Sequence, residues 1–215
     1  MFRAKIFAFI SFLVLGLSSP SQAAYLTLFF DDFESGLSQW VGKEGEVHHG
    51  QIVTDPLDSE NMVLNFTALN GRGDIFSSNS FLSASGSYRL SFDYLGIAQA
   101  GSVPDNLGGF AGYSFGLPGA HFWLGGTSDA SNAIPALEDD GVWHSYSFNF
   151  ATMNSLRVML EDFGGSLGVA GDAYFDNVRL ETIEVSTESV PEPRNFLSLL
   201  SLGVICGAGR LWKKK

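Results

Sequence analysis

The sequence predicts an all-β protein, an antiparallel two-sheet β-sandwich, and three observations support this fold class. Apolar and polar side chains alternate along residues 87–94 with the period of two of a half-buried strand, and residues 62–66, 145–150 and 156–160 repeat the pattern. Clusters of Gly, Asn, Asp and Ser separate these runs at short intervals, as turns do in sandwiches. The 19 phenylalanines supply large rings for a core between two sheets.

The first element along the chain is a secretory signal peptide at residues 1–23. Arg3 and Lys5 give it a positively charged start, and the apolar run at 6–17 is too short to span a bilayer comfortably. Ser21 and Ala23 are the small residues that a signal peptidase requires, so we expect cleavage after Ala23. The alternative is an uncleaved anchor.

The second element is the sandwich domain at residues 24–183, with nine or ten strands expected between Leu26 and Leu180. Residues 95–141 differ from the rest, because glycines and aromatic residues interleave there and favour long loops around one or two short strands. A polar linker follows at residues 184–189.

The last element, residues 190–215, reads as a membrane-directed tail. An apolar stretch begins at Phe196, and we expect a transmembrane helix at about 195–212. The three lysines at 213–215 stay in the cytoplasm by the positive-inside rule, which places the sandwich domain on the other side.

The order of Pro191, Glu192 and Pro193, the apolar helix and the basic end resembles the PEP-CTERM sorting signal of Gram-negative envelope proteins. The resemblance covers the final 26 residues. It implies recognition by a membrane-embedded exosortase, cleavage near the motif, and a link to exopolysaccharide and biofilm. Arg194 departs from the family pattern, in which small or hydroxylated residues are commoner at that place. The alternative is an ordinary tail anchor.

The net charge of −11 is unevenly distributed along the chain. Between Tyr25 and Val190 there are 22 acidic and five basic residues, so this part carries −17. Such a charge repels phosphate backbones and anionic membrane surfaces, which argues against nucleic-acid binding, and it attracts divalent cations. The single cysteine, Cys206, excludes an intramolecular disulfide and a cysteine-based zinc site.

Three short segments of the domain resemble the galactose-binding-like jelly roll of carbohydrate-binding modules. They are residues 30–36 (FDDFESG) with Trp40 shortly after, residues 141–146 (GVWHSY), and residues 174–180 (YFDNVRL). The resemblance implies a jelly-roll arrangement of the sandwich. Its members include lectin-like modules, accessory domains of enzymes and proteins without a known ligand, so it does not choose a function.

A structural calcium site is expected where the first and last strands meet. Asp176 is in phase with Tyr174 and Val178, and Asp32 is in phase with Leu28 and its apolar neighbours, so both carboxylates are expected to face the core. Asp32 or Glu34, Asp176 and backbone carbonyls would then form the oxygen-rich set that Ca²⁺ prefers. The resembled family often holds calcium there. The alternative is a carboxylate that caps a turn.

A ring platform for sugars is expected in the glycine-rich region, from Tyr113, Phe122 and Trp123 with Phe110 nearby. Aromatic faces stack on the C–H faces of pyranose rings, and neighbouring polar groups orient the hydroxyls. The alternative is that these rings fill the sandwich core, which is also the expectation for Trp40 and Trp143.

Residues 112–116 (GYSFG) match the G-x-S-x-G motif, with Asp129 and His144 downstream in hydrolase order. That chemistry needs a strand-to-helix turn in an α/β sheet, which this sequence does not predict. We therefore expect no enzyme activity.

The sequence as a whole predicts an exported, non-catalytic protein of the cell envelope or extracellular matrix that binds or organises exopolysaccharide. Its expected partners are a signal peptidase, an exosortase, the inner membrane through the C-terminal helix, and polysaccharide. The alternatives are a purely structural surface protein without a glycan site and, third, a hydrolase that acts on polysaccharide.

Overall fold

A computed structural model describes residues 23–67, 74–103, 107–117, 119–127, 134–163 and 169–185. The segment Ala24–Glu184 forms one compact unit. The predicted signal peptide, Asp129, the motif at Pro191, Glu192 and Pro193, and the predicted helix at 195–212 lie outside the described residues. Within the described ranges, no helix has the length and apolar character needed to cross a membrane.

The described residues form eleven β-strands and one short 3-10 turn at Lys43–Gly45. The strands are β1 (Ala23–Asp31), β2 (Trp40–Val41), β3 (Gly50–Thr54), β4 (Met62–Phe66), β5 (Ile75–Ser77), β6 (Ser87–Gly96), β7 (Gly109–Ser114), β8 (His121–Gly126), β9 (His144–Ala151), β10 (Arg157–Asp162) and β11 (Ala173–Val185). The predicted all-β class is confirmed.

The strands form two antiparallel sheets. The first sheet has the order β3-β4-β11-β6-β9, and β1 also pairs with β11. The second sheet has the order β2-β5-β10-β7-β8. Most neighbours in a sheet are distant in sequence, so the sheets depend on long-range pairing. The predicted two-sheet sandwich is therefore also confirmed.

The core lies between the two sheets and is rich in aromatic rings. Strand β6 supplies Tyr88, Leu90, Phe92 and Tyr94, which are all buried, while the residues between them are partly exposed. This is the alternation that the sequence predicts. Phe175 of β11 packs against Tyr94 and Phe92 with ring centroids 5.3 and 5.8 Å away. These contacts join the central strands of the first sheet.

Strand β1 turns its side chains the opposite way from the prediction. Phe29 and Asp31 are buried, whereas Leu26 is exposed and Asp32 is half-buried. The prediction that the Asp32 carboxylate faces the core is therefore wrong. The physical reason is that residues 28, 29 and 30 are all apolar, so the sequence does not fix the phase of this strand.

The carboxylate that β1 buries is that of Asp31. It accepts hydrogen bonds from the Trp40 indole Nε1 at 2.8 Å and from the Phe33 backbone N–H at 2.8 Å. Burial raises the pKa of Asp31, and these two bonds oppose the increase. Trp40 is 3% exposed, so its predicted place in the core is correct. Trp143 is half-buried on the other side of the first sheet and donates to Asp55 at 2.9 Å.

Candidate functional site

The second sheet presents a distinct surface on the side that faces away from the first sheet. Residues directly opposite each other in antiparallel strands share a face. One row across the sheet consists of Phe76, Met159, Gly112 and Trp123, and the next consists of Arg157, Ser114 and His121. Between these rows, Tyr113 and Val158 belong to the core between the sheets. We call the two rows, with the neighbouring Asp74, Phe110 and Lys43, the outer face.

Aromatic rings run continuously along the outer face. The ring of His121 lies 5.8 Å from Phe76 and 6.3 Å from Trp123, measured between centroids. Trp123 in turn lies 5.3 Å from Phe110. Phe76 is fully buried and Phe110 nearly so, whereas Trp123 and His121 are partly exposed. The buried rings therefore support two rings that a ligand can reach.

Two polar atoms on the outer face are buried without a hydrogen-bond partner among the described residues. They are Oδ1 of Asp74 and Nε2 of His121. Asp74 is 3% exposed, and its Oδ2 has Lys43 Nζ at 4.0 Å. A buried polar group without a partner costs about 1–3 kcal/mol, so a ligand gains binding energy here once a small side-chain movement exposes these atoms to it.

The surroundings of the histidine on this face favour its neutral form. Burial lowers the pKa of His121 from its usual 6.5, the charge of Asp74 raises it, and Lys43 lowers it. A neutral imidazole has one donor and one acceptor nitrogen. His121 thus offers a hydroxyl group either a donor or an acceptor, and the Asp74 carboxylate offers an acceptor.

The three predicted ring-platform residues do not share one surface, because neighbouring residues of a strand point to opposite faces. Trp123 lies on the outer face, whereas Tyr113 and Phe122 lie on the other side of the sheet. Tyr113 is 8% exposed and stacks between Phe122 at 5.0 Å and Phe150 at 4.5 Å. Both faces of its ring are covered, so Tyr113 is a core residue and not a platform for sugars. Phe122 is 40% exposed.

A broad groove of about 520 Å³ lies on the far side of the first sheet. Its polar side chains are bonded within the protein. Gln51 Nε2 donates to Asn65 Oδ1 at 3.0 Å, and Asn65 Nδ2 donates to the carbonyls of Gly171 and Ala173. Gln99 Nε2 donates to the Tyr174 hydroxyl at 3.3 Å. These internal bonds make the groove less suited to a polar ligand than the outer face.

The predicted calcium ligands are each bonded to an amide. Asp176 accepts from Asn61 Nδ2 at 3.0 Å and from the Asn177 N–H at 2.7 Å. Glu34 Oε1 accepts from the Met62 N–H at 3.0 Å, and Asp32 Oδ1 accepts from the Glu34 N–H at 3.3 Å. Burial raises the pKa of Asp176. Calcium binding by Asp32, Glu34 and Asp176 stays a prediction, in which the ion competes with these amide donors.

Metal-ligand spacing occurs at a different place in the described part of the chain. Glu138, Asp140 and His144 bring their ligand atoms within 4.8 Å of one another. His144 Nε2 lies 2.9 Å from Asp140 Oδ1 and 3.5 Å from Glu138 Oε2. The hydrogen bond from His144 lowers the pKa of Asp140. Both carboxylates are exposed, and the group is accounted for as a surface ion pair.

A set of three carboxylates, two of them buried, lies where β6 and β10 end and where β7 and β11 begin. Asp162 is fully buried and Asp172 is 1% exposed. Burial raises the pKa of Asp162 to about 8 and that of Asp172 to about 6. Asp139 accepts a hydrogen bond from the Tyr94 hydroxyl at 2.7 Å. Burial raises the pKa of Tyr94, and the negative charge of Asp139 raises it further. We call Asp139, Asp162 and Asp172 the acid cluster. No local sequence pattern indicates this cluster, because its three residues come from separate segments of the chain.

The hydrolase motif has no catalytic geometry in the described residues. Ser114 lies within β7, is fully buried, and donates its hydroxyl to the Gly116 carbonyl at 2.9 Å. His144 lies on β9 of the other sheet, bonded to Asp140. The structure does not bring these two side chains together, and Asp129 lies outside the described residues.

Comparison with known proteins places the fold. No family model matches the chain, and no curated protein matches it. The chain is similar to the N-terminal CBM22-1–CBM22-2 tandem domain of Paenibacillus barcinonensis Xyn10C, with 14% identity and a TM-score of 0.50 over 80% of this chain and 50% of that one. At this identity the likeness shows the fold alone, which is the predicted jelly-roll sandwich.

Two single modules are also similar. The CBM22-1 xylan-binding domain of the same Paenibacillus barcinonensis protein has 17% identity and a TM-score of 0.48, over 77% of this chain and 99% of that one. A carbohydrate-binding module of Cellvibrio mixtus lichenase 5A, solved with cellotriose, has 15% identity and a TM-score of 0.39, over 74% of this chain and 100% of that one.

Proposed function

We propose that this chain is an exported, non-catalytic protein that binds extracellular polysaccharide through the outer face of its second sheet. The fold supports the proposal, because the tandem domain that shares it is named as a pair of carbohydrate-binding modules. The charge of the domain supports it too, since a body at −17 repels nucleic acids and favours neutral or cation-bridged ligands.

One observation carries the proposal: the partly exposed Trp123 ring lies 6.3 Å from the ring of His121, whose Nε2 is buried without a hydrogen-bond partner among the described residues, as is Oδ1 of Asp74 on the same face. The indole offers a flat apolar surface for the C–H face of a pyranose ring. The carboxylate accepts from sugar hydroxyls, and the neutral imidazole donates or accepts. Binding sites for small polar molecules combine an apolar wall with a few placed polar groups in this way.

Binding by wild type and two single variants tests the proposal. We expect Trp123→Ala to lose roughly 1–3 kcal/mol of binding to a soluble polysaccharide, the size of an aromatic hot spot. The full-length chain is screened against xylans, β-glucans, galactans and bacterial exopolysaccharides by affinity electrophoresis, and the best ligand is then measured by calorimetry. Melting temperature is recorded for each variant to separate lost binding from lost fold.

The matched control is Phe122→Ala, the next residue of β8 on the other side of the sheet. It removes an exposed aromatic ring of similar size and should leave binding intact. Loss of binding in Phe122→Ala with full binding in Trp123→Ala would place the ligand on the opposite side of the sheet and contradict the proposal. Absence of binding to every polysaccharide in the panel would favour a purely structural protein.

Export and anchoring belong to the same proposal. A signal peptidase removes residues 1–23, the C-terminal helix holds the chain transiently in the inner membrane, and an exosortase processes it near Pro191, Glu192 and Pro193. The protein is then released or re-anchored at the cell envelope, the cell surface or the extracellular matrix. The order of motif, apolar stretch and three terminal lysines supports this part. A structural Ca²⁺ at Asp32, Glu34 and Asp176 remains part of the proposal.

A further inference from the structure

A cavity of about 200 Å³ lies at the end of the second sheet, where β7 ends and β10 begins. Its described lining consists of Ser80, Phe115, Gly116, Leu117, Ser155 and Arg157. Arg157 also belongs to the row of the outer face that contains Ser114 and His121. This arginine therefore joins the cavity to the candidate binding surface.

The guanidinium group of Arg157 is held by the backbone and has no acidic partner in the described part of the chain. Its Nη1 donates to the carbonyl of Ser77 at 2.6 Å and to the carbonyl of Ser78. An arginine carries five N–H donors in a rigid planar fork, and Nη1 supplies two of them. The Nε and Nη2 donors make no hydrogen bond to a described residue, and no described carboxylate forms an ion pair with Arg157. One edge of the fork is therefore free to bind a ligand.

The charge of the cavity differs from that of the domain around it. Arg157 is the only charged residue among the described residues of the lining, whereas residues 25–190 together carry −17. Exposed charges farther away than about 8 Å are largely screened at physiological ionic strength. A single negative group that enters the cavity therefore meets a positive charge, although the domain as a whole repels a densely charged polyanion.

We propose, on the basis of the proposed function, that the cavity binds a uronic acid branch of the polysaccharide whose neutral main chain lies on the outer face. The Nε and Nη2 donors of Arg157 match the two oxygens of a carboxylate, which arginine binds in a bidentate way. The cavity is smaller than the roughly 300–1,000 Å³ of ordinary ligand pockets, so it suits one sugar residue and not a chain. The ligand class is thus a mainly neutral polysaccharide with sparse acidic branches.

Calorimetry on the full-length chain with a matched pair of polymers tests the cavity. The pair is a xylan with sparse glucuronic acid branches and the same xylan after reduction of its carboxyl groups. We expect wild type to bind the acidic form about tenfold more tightly, because a hydrogen-bonded ion pair is lost with the carboxylate. Arg157→Gln should remove this preference, and Arg157→Lys should keep only part of it, since lysine retains the charge without the fork. The control Arg179→Gln removes an arginine of the first sheet, bonded to Thr27, and should keep the preference.

A second variant leaves the bonds of Arg157 to the backbone in place. Ser155 is exposed and lines the cavity, so Ser155→Asp introduces a carboxylate that competes for the guanidinium group and should also remove the preference. Asn154→Asp adds the same charge at the neighbouring exposed residue, outside the described lining, and should keep it.

The outcomes separate this inference from the proposed function. Equal binding of both xylans by wild type, or a preference that survives in both Arg157→Gln and Ser155→Asp, overturns the uronic acid site and leaves glycan binding on the outer face intact. Absence of binding to both xylans also overturns the inference, and the wider panel of polysaccharides then decides the proposed function.

Discussion

At the scale of single residues, the buried carboxylates differ in whether the protein supplies hydrogen-bond donors to both of their oxygens. Asp31 and Asp162 are both buried carboxylates, but Asp31 has the Trp40 indole and the Phe33 N–H as donors, whereas Asp162 keeps one oxygen without a partner among the described residues. The fold therefore accounts for the buried carboxylate of Asp31 and leaves one oxygen of Asp162 unexplained. Sequence patterns show neither, since an aspartate at a strand end looks the same in both settings.

His121 gives a prediction on pH dependence. The folded state lowers its pKa below the value of 6.5. The unfolded chain therefore binds more protons as the pH falls through that value, and the free energy of unfolding decreases. The raised pKa values of Asp162 and Asp172 act in the opposite direction, so the His121 contribution is measured as a difference between proteins. We expect the melting temperature of wild type to fall relative to that of His121→Gln between about pH 7 and about pH 5. The matched control is His49→Gln, a partly exposed histidine just before β3. An equal fall in His121→Gln and wild type would contradict the prediction.

At the scale of strands, the sequence predicts which side chains face the core where every second residue is polar. The prediction is poor where consecutive residues are all apolar. Residues 87–94 alternate cleanly, and β6 follows the predicted phase. In β1 three consecutive apolar residues leave the phase open, and the predicted phase, with Asp32 toward the core, is wrong. In β8 the prediction places the consecutive rings of Phe122 and Trp123 on one surface, although the strand places them on opposite faces. Asp74 and His121 come from distant segments, and no local pattern indicates that the charge of Asp74 acts on His121.

The start of β7 gives a prediction on packing between strands. A Cβ at Gly109 would lie 2.2 Å from Cε2 of the fully buried Tyr94 ring. We expect Gly109→Ala to displace Tyr94 and to lower the free energy of unfolding by about 1–3 kcal/mol, as overpacking of a core does. Urea denaturation measures this change. A loss below about 0.5 kcal/mol, the range of ordinary surface substitutions, would show that β6 and β7 can separate without cost.

At the scale of the whole molecule, the two-sheet fold follows from composition and from the period of the alternating runs, while the predicted export and sorting signals lie outside the described residues. The alternating runs and the 19 phenylalanines were sufficient for the sandwich. They could not show which sheet carries the candidate binding surface, because that depends on how Asp74 and His121, 47 residues apart in sequence, come to share one face of a sheet.

The sorting signal gives a prediction on processing. Replacing Pro191, Glu192 and Pro193 with alanines should leave export intact and block trimming of the C-terminus, because the apolar stretch remains while the recognition motif is lost. Mass spectrometry of the protein from wild-type and variant cells measures the C-terminal residue. Trimming of the variant at the same position as wild type would mean that the motif is not the recognition element.

The position of β11 in the first sheet has a mechanical consequence. This strand is the longest in the described structure, it carries the chain toward its C-terminal end, and it is bonded to β6 on one side and to β4 and β1 on the other. A pull on the C-terminal end of β11 acts along the strand, so it loads the lateral hydrogen bonds together in shear instead of opening them one after another. A protein tethered through this strand would hold its cargo against flow.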